Sequence, residues 1–377
     1  MKETTPSPEQ DTVYMAEAIQ LAWQGLYTTE PNPRVGCVLV KDGKVVGRGW
    51  HQKAGQGHAE VNAIRDAGDM AKEATAYVSL EPCSHFGKTG PCANALIEAG
   101  VKRVVAAMKD PNPEVSGSGF ELLQKAGVQV ESGLLETQAK ELNVGFIKRM
   151  TQDRPFVRIK MATSVDGRTA MASGESQWIT GSQARADVQR LRARSSAVIS
   201  GIETVLYDDA ALTVRANELG LDNADDVAQR QPLRVILDSQ ARISADARLF
   251  TQVGQILLVV SANASVSDEL ARLSNVSIFR LPAESKRSVD CVLAELSRLG
   301  CNEVLVEAGA NVAGSFIQQN CWDELVVYMA PKLMGSAARP LANLPLTQMS
   351  EAKDLVLKDI RIIGDDLRLT YHPADAI

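Results

Sequence analysis

The chain has 377 residues, which at roughly 150 residues per domain predicts two or three domains rather than one small module. Hydrophobic residues make up 45% and charged residues 23%, a balance that excludes disordered, collagen-like and coiled-coil proteins. The net charge of −6 provides no basic field for a polyanion. We therefore expect a small-molecule partner, with no nucleic acid and no membrane.

Hydropathy along the sequence predicts neither a leader nor a membrane segment. Its first eleven residues are polar, and no later stretch approaches the roughly 20 apolar residues that span a bilayer. We therefore expect a cytoplasmic protein. Six scattered cysteines are too few for a disulfide framework in a chain of this length. In a reducing compartment, the close pair Cys83 and Cys92 favours a metal or catalytic role.

The first part of the chain alternates strand and helix patterns after an initial helix. Apolar spacing predicts that helix over 13–26, and Lys41-Asp42-Gly43 predicts a hairpin turn between strands 34–40 and 44–49. The next expected elements are helix 58–67, strand 76–80, helix 92–99, strand 103–108, helix 119–126, strand 128–130 and a helical stretch up to 150. This alternation predicts a partly parallel sheet covered by helices.

The polar stretch 151–155 ends in Pro155 and predicts a boundary between domains 1–150 and 151–377. The second domain is again α/β in pattern, and its polar, aperiodic stretch 215–231 predicts a loop or insertion. Its expected strands are 156–162, 197–200, 234–238, 255–260, 276–280, 303–307, 325–330 and 367–371.

Metal-ligating residues are concentrated in one short part of the first domain. His58, Cys83 and Cys92 form a set of one imidazole and two thiols, which leaves the fourth position of Zn²⁺ open for water. An open position is typical of a catalytic zinc. Glu60 need not bind the metal, and it suits a proton carrier beside it.

The spacing of these residues also predicts where two helices begin. An ideal helix would turn Glu60 about 200° away from His58, so the pair must lie in the first turn of its helix. Pro91 is well placed to begin a second helix at Cys92, and helix N-termini stabilise thiolates. The alternative is a structural zinc site with His85 as fourth ligand, which gives Glu60 no role.

Four motifs of the first domain resemble one known family. They are His58-Ala59-Glu60-Val61-Asn62-Ala63-Ile64, Glu81-Pro82-Cys83-Ser84-His85-Phe86-Gly87-Lys88-Thr89-Gly90-Pro91-Cys92, Pro31-Asn32-Pro33-Arg34-Val35-Gly36 and Asp110-Pro111-Asn112-Pro113. They resemble the deaminase domain of the bifunctional riboflavin-biosynthesis deaminase/reductase family. One departure is Gly90, where that family usually has proline.

The resemblance implies a cytidine-deaminase-like, three-layer α/β/α domain. It implies that Zn²⁺-dependent hydrolysis replaces the 2-amino group of 2,5-diamino-6-(ribosylamino)pyrimidinone 5′-phosphate by oxygen and releases ammonia. Glu60 would carry the water proton to the ring nitrogen and then to the departing ammonia. Implied substrate contacts are Asn32, His51, His85 and Lys88.

The second domain carries a weaker local signal. Strand 304–306 runs into Gly309 and an apparent helix, an arrangement that suits phosphate binding. No G-x-G-x-x-G accompanies it, which disfavours an ordinary Rossmann domain. Motifs that resemble the reductase half of the same family are Ser164-Val165-Asp166-Gly167-Arg168, Gly174-Glu175-Ser176-Gln177-Trp178-Ile179-Thr180, Gly201-Ile202-Glu203-Thr204-Val205, Asp208-Asp209-Ala210-Ala211-Leu212-Thr213-Val214-Arg215 and Val306-Glu307-Ala308-Gly309.

This second resemblance implies a dihydrofolate-reductase-like α/β domain that uses NADPH to reduce the ribosyl group to ribityl. Implied NADPH contacts are Ala162, Trp178, Thr204, Asp208, Gly309, Ala310, Asn311, Val312, Ala313, Gly314 and Ser315. Implied substrate contacts are Ser176, Arg192, Leu212, Arg215 and Glu307. Ala210 stands where the family usually has proline.

Hydride transfer needs one proton to be managed on the substrate. Our candidates for this work are Asp208, Glu307 and Lys160. The alternation around Lys160 describes a solvated strand face equally well. Arg192 and Arg215 could clamp a phosphate through bidentate hydrogen bonds.

Two other functions stay open at this point. One is a nucleic-acid base deaminase with a binding module, which the acidic charge disfavours. The other is a non-catalytic zinc protein, which Glu60 beside an open site disfavours. For the riboflavin-pathway enzyme we expect a homo-oligomer.

Overall fold

The structure is a computed structural model that describes residues 7–84, 90–283 and 289–374. The chain divides into two compact units, 1–153 and 154–377. In the described part of the chain, no helix combines the length and the apolar character that a bilayer crossing requires.

The first unit is a five-stranded sheet between two layers of helices. Its strands are β1 (Gly36–Lys41), β2 (Lys44–Trp50), β3 (Thr75–Val78), β4 (Arg103–Ala106) and β5 (Gln129–Ser132), in the order β2-β1-β3-β4-β5. β1 pairs antiparallel with β2 and β3, and β3, β4 and β5 are parallel. Its helices are α1 (Pro8–Trp23), α2 (Ala59–Ala67), α3 (Cys92–Glu98), α4 (Ser118–Lys125), α5 (Glu136–Leu142) and α6 (Val144–Gln152).

Alternation along the strands separates the two cores of this unit. Cys37 and Leu39 of β1 pack with α2 and α3, whereas Val38 and Val40 pack with α1 on the opposite face. The sheet is thus buried on both faces, which gives the predicted three layers.

The second unit contains a nine-stranded mixed sheet. Its strands are β6 (Phe156–Ser164), β8 (Ala197–Gly201), β9 (Leu233–Leu237), β10 (Ile256–Ser261), β11 (Val276–Leu281), β12 (Glu303–Glu307), β13 (Glu324–Ala330), β15 (Leu355–Ile363) and β16 (Asp366–Pro373). The order is β11-β10-β9-β8-β12-β6-β13-β16-β15, and β7 (Arg168–Ala170) pairs separately with β14 (Arg339–Pro340). β13, β16 and β15 form the antiparallel edge of an otherwise parallel sheet.

Helices cover both faces of this sheet. They are α7 (Ser182–Arg194), α8 (Ile202–Asp208), α9 (Ala216–Leu219), α10 (Ala224–Gln229), α11 (Arg248–Thr251), α12 (Asp268–Arg272), α13 (Val289–Arg298) and α14 (Ala310–Gln318). α13 and α14 pack on one face, and α7, α8, α11 and α12 pack on the other.

Two features of the second unit were not predicted. Residues 215–231, expected to be a loop or an insertion, contain the short helices α9 and α10, which are too short to show helical periodicity. Strand β15 has no counterpart among the expected strands. A register shift between Leu357 and Asp359 breaks its alternation, which removes the period-two signal.

Candidate active sites

The local structure places His58, Glu60 and Cys92 at helix starts, as the spacing predicts. His58 is the extended N-cap residue of α2, and Glu60 follows in the first turn. Pro91 precedes Cys92, the first residue of α3. The starts of α2 and α3 lie close together, because His58 Nδ1 is 3.2 Å from Cys92 Sγ. The Glu60 carboxyl interacts with both of these side chains.

His58, Cys83 and Cys92 form what we call the His-Cys-Cys cluster. His58 Nδ1 lies 3.2 Å from Cys92 Sγ and 3.6 Å from Cys83 Sγ, and the three ligand atoms all lie within 4.8 Å of one another. Tetrahedral Zn²⁺ with bonds of 2.0–2.3 Å requires ligand atoms about 3.3–3.8 Å apart. The donor set and its spacing therefore fit Zn²⁺.

Glu60 is buried beside this cluster, with 3% of its surface exposed. Burial, together with negative charge on Cys83, raises the pKa of the Glu60 carboxyl to about 7. Hydrogen bonds from Cys92 and His58 lower the pKa of the Cys83 thiol. The site thus combines a thiolate ligand with a carboxyl that can gain or lose a proton near neutral pH.

Asn32 and His51 lie beside the His-Cys-Cys cluster. Asn32 Nδ2 is 3.1 Å from His51 Nε2, and His51 Nδ1 is 3.2 Å from the Gly57 carbonyl oxygen. The His51 and His58 rings meet edge to face with centroids 5.2 Å apart. Burial lowers the pKa of His51, so its ring stays neutral and can accept from Asn32 while donating to Gly57.

The other two expected substrate contacts, His85 and Lys88, lie outside the described residues. His85 as a fourth metal ligand is therefore not tested by the geometry.

The second unit contains a large cavity of about 940 Å³. Predicted residues that line it are Lys160, Ala162, Ser176, Trp178, Arg192, Thr204, Asp208, Leu212, Arg215, Glu307, Gly309, Ala310, Asn311 and Val312. Three residues of the glycine turn are placed elsewhere: Ala313 is buried in the core, a Cβ on Gly314 would lie 2.2 Å from the Asn343 carbonyl oxygen, and Ser315 donates to the Asn311 carbonyl.

A buried ion pair lies at the cavity wall. Arg192 binds Glu307 through two hydrogen bonds, Nε to Oε1 at 2.6 Å and Nη2 to Oε2 at 2.9 Å. Arg192 Nη1 also donates to the Thr213 carbonyl. The guanidinium expected as a phosphate clamp is thus engaged by a carboxylate. Arg215 is likewise paired, with Glu218.

The pKa values of two candidate proton carriers, Lys160 and Glu307, are both lowered. Burial and the Arg192 charge lower the pKa of Lys160, against an opposing effect of Glu307. Burial favours a higher pKa for Glu307, but the charges of Arg192 and Lys160 outweigh it and hold the pKa of Glu307 below its usual value. An amine that is easier to deprotonate therefore lies near a persistent carboxylate.

Asp208, the last residue of α8, faces the loop of Ser176. Ser176 Oγ lies 3.4 Å and Gln177 Nε2 lies 3.3 Å from Asp208 Oδ1. Trp178 is 65% exposed, and the Arg185 guanidinium lies 4.4 Å from the centroid of its ring.

Sequence reasoning missed Arg185 and Gln189, which also line the cavity. Together with Arg192 they lie at helical positions i, i+4 and i+7 of α7, and therefore share one face. This polar stripe is the signal that could have identified them. Arg339 and Asn343, which come from irregular segments, gave no such signal.

Both units of the chain match known families. The cytidine and deoxycytidylate deaminase zinc-binding region matches residues 8–108, and the RibD C-terminal domain matches residues 155–369. The chain is 49% identical to riboflavin biosynthesis protein RibD of Escherichia coli K12, covering 96% of this chain and 98% of that protein. The chain belongs to the RibD family.

Solved structures agree with this assignment. An Acinetobacter baumannii RibD aligns with a TM-score of 0.90 at 45% identity, covering 97% of this chain and 99% of that one. A Thermotoga maritima diaminohydroxyphosphoribosylaminopyrimidine deaminase/5-amino-6-(5-phosphoribosylamino)uracil reductase aligns with a TM-score of 0.83 at 33% identity, covering 97% and 99%.

Family membership confirms the predicted fold class, a cytidine-deaminase-like domain followed by a reductase α/β domain. The protein is a bifunctional enzyme of riboflavin biosynthesis, a hydrolytic deaminase and an oxidoreductase, and its cofactors are Zn²⁺ and NADPH.

Proposed function

We propose that the chain carries out two consecutive reactions on one phosphorylated pyrimidine. Domain 1–150 hydrolyses the 2-amino group of 2,5-diamino-6-(ribosylamino)pyrimidinone 5′-phosphate, and domain 151–377 reduces the ribosyl side chain to give 5-amino-6-(ribitylamino)uracil 5′-phosphate. The observation that carries the proposal is the convergence of one imidazole and two thiols beside the buried Glu60. The T. maritima relative bears the names of both activities.

In the deaminase domain, His58, Cys83 and Cys92 hold the zinc ion. Zn²⁺ supplies Lewis acidity, which makes water a nucleophile at neutral pH. The Glu60 carboxylate accepts one proton from the attacking water and delivers it to the ring nitrogen. It then takes the second proton from the hydroxyl group on the reacting carbon and delivers it to the amino group, which leaves as ammonia while the carbonyl forms. Its pKa of about 7 suits both directions of this transfer.

Asn32, His51, His85 and Lys88 are the proposed contacts for the deaminase substrate. The neutral His51 ring is fixed between Asn32 and the Gly57 carbonyl, so it presents a fixed edge beside the metal ligands. Orientation of this kind holds the reacting carbon near the nucleophile.

In the reductase domain, NADPH supplies the hydride. We assign its binding to Ala162, Trp178, Thr204, Asp208 and the part of the glycine turn that lines the cavity, Gly309 to Val312, where the N-terminus of α14 suits a phosphate. Ala313, Gly314 and Ser315, which the family resemblance also implied, do not line this cavity. Ser176, Arg192, Leu212, Arg215 and Glu307 are the proposed substrate contacts.

Lys160, Asp208 and Glu307 manage the proton that accompanies reduction of the opened, imine-like sugar. The lowered pKa of Lys160 makes its ammonium a better proton donor than a surface lysine. Glu307, held by Arg192, remains charged and orients the lysine.

The test of this function uses the full chain, the diaminopyrimidine 5′-phosphate and NADPH. We expect one ammonia released and one NADPH oxidised for each substrate consumed. Oxidation of NADPH without ammonia release would contradict the deaminase assignment, and ammonia release without NADPH oxidation would contradict the reductase assignment.

We also infer that the protein is a cytoplasmic homo-oligomer that binds neither nucleic acid nor membrane. None of the six cysteines, which all lie in the described residues, forms a disulfide, as in reducing compartments, and the net charge is −6. Edge strand β15 exposes Leu357, Ile360 and Ile362, the last to 79%, and such edges pair with a second chain. A monomeric mass in light scattering would contradict the oligomer.

A further inference from the structure

Glu81 lies two residues before Cys83 and has no part in the chemistry above. Its side chain is 2% exposed, and its carboxylate accepts four backbone N–H groups. The donors are Asp110 at 3.1 Å and Gly117 at 3.0 Å to Oε2, and Gly119 at 3.0 Å and Phe120 at 3.4 Å to Oε1. The carboxylate therefore ties the Cys83 segment to a part of the chain remote in sequence.

These donors come from the Asp110-Pro111-Asn112-Pro113 motif and from the start of α4. The N-cap residue of α4 is Gly117, which has no side chain that could accept from the N–H groups of the first turn. Glu81 satisfies N–H groups that every helix leaves unpaired at its start, and its negative charge is favourable there. An amide in its place would present N–H groups to N–H donors.

The same helix start holds the residues on either side of Cys83. A Cβ on Gly119 would lie 2.0 Å from the Pro82 carbonyl oxygen, so only glycine permits this approach. Ser84 Oγ lies 2.5 Å from Ser118 Oγ. The first turn of α4 therefore touches both neighbours of the ligand.

Cys83 needs such support more than the other two proposed ligands. His58 and Cys92 are fixed by the starts of α2 and α3, whereas Cys83 lies in an irregular segment. We infer that Glu81 is a positioning residue that holds Cys83 in place for the metal through the start of α4. This inference rests on the proposed ligand set, and it gives the Asp110-Pro113 motif a role.

The test replaces Glu81 by Gln in the full zinc-loaded chain. Loss of a residue that holds a metal ligand in place typically weakens metal binding about 10- to 100-fold. We therefore expect zinc release to a chelator to become at least about tenfold faster. In the cobalt-substituted protein, the thiolate charge-transfer and ligand-field absorption bands should shift or weaken, because the Cys83 sulfur is no longer fixed.

The matched control is Leu123→Ala, which removes a buried side chain from the same helix without changing the Glu81 donors. We expect it to lower the thermal midpoint while zinc release stays within about twofold and the cobalt spectrum is unchanged. If Glu81→Gln also retains both parent values, or if both variants speed release equally, Glu81 is not a positioning residue.

Gly119→Ala tests the same contact from the helix side if Glu81→Gln does not fold. Its Cβ would displace Pro82, so the cobalt bands should again change, and an unchanged spectrum and release rate would overturn the inference. Failure of the ligand set itself is seen separately, as full zinc content in Cys83→Ser.

Discussion

The His-Cys-Cys cluster and the large cavity differ in how far apart in sequence their residues lie. The cluster takes its three proposed ligands from residues 58–92, with two of them at helix starts. The cavity takes residues from β6, α7, α8, β12, α14 and several loops between 160 and 343. A metal site needs a few donors of strict type, whereas a nucleotide and a sugar phosphate need an extended surface.

The two sites also use burial in different ways. In the deaminase domain, burial raises the pKa of Glu60 so that an acid can exchange its proton near neutral pH. In the reductase domain, Arg192 holds Glu307 charged, while burial lowers the pKa of the neighbouring Lys160. Each site thus contains a different kind of candidate proton carrier.

The largest expected effect is removal of a metal ligand. We expect Cys92→Ser to lose zinc and all detectable deaminase turnover, because the serine hydroxyl is a poor zinc ligand. NADPH-dependent reduction of the deaminated substrate should persist. Metal analysis and both assays check this, and full zinc occupancy in Cys92→Ser would overturn the ligand assignment.

The next effect is in the large cavity. Glu307→Gln leaves the Arg192 charge buried without its carboxylate, and we expect the reductase domain to lose about 3 to 5 kcal/mol of unfolding free energy. Asp268→Asn is the control, since the Asp268–Arg272 pair is exposed, and its loss should cost less than about 1 kcal/mol. Denaturant unfolding measures both; equal losses would contradict the buried pair's importance.

A smaller effect depends on pH. Arg158 is buried between Glu303 and Glu324 and forms an ion pair with each. Burial alone would raise the pKa of Glu324, but the Arg158 charge outweighs burial and lowers this pKa from 4.5 to about 2. A carboxyl whose pKa is lower in the folded state stabilises the fold above pH 4.5, and this stability is lost as pH falls towards 2. The shift corresponds to about 3 kcal/mol.

Glu324→Gln should therefore flatten the fall in stability of the reductase domain between pH 5 and pH 2.5. Thermal unfolding of both proteins across this range, followed by circular dichroism, measures the difference. Parallel curves for parent and variant would show that this carboxyl does not control acid stability.

The metal cluster and the large cavity also differ in how well the sequence predicts them. The helix starts at His58 and Cys92 were predictable because local signals determine them. The proposed ligands His58, Cys83 and Cys92 could be singled out because their residue types suit zinc, and the structure brings their ligand atoms together. The role of Glu81 was not, because its partners lie near residue 117. The edge strand β15 was missed because a bulge breaks its alternation.

In the reductase domain the sequence predicted which residues belong to the site, but not which of them form ion pairs with one another. Arg192 was expected to bind a phosphate, yet it faces Glu307 across 115 residues of sequence. Only the parallel arrangement of the sheet brings α7 and β12 together. Long-range ion pairs of this kind leave no periodic signal in a single sequence.

The central claim is that the chain holds two separate catalytic sites. Both activities should be measured in Glu60→Gln and in Asp208→Ala, each supplied with the substrate of the step concerned. The account predicts that Glu60→Gln keeps its zinc, loses deamination and retains NADPH-dependent reduction, and that Asp208→Ala does the reverse. If folded Glu60→Gln protein also stops reducing the deaminated substrate, the two-site account is wrong.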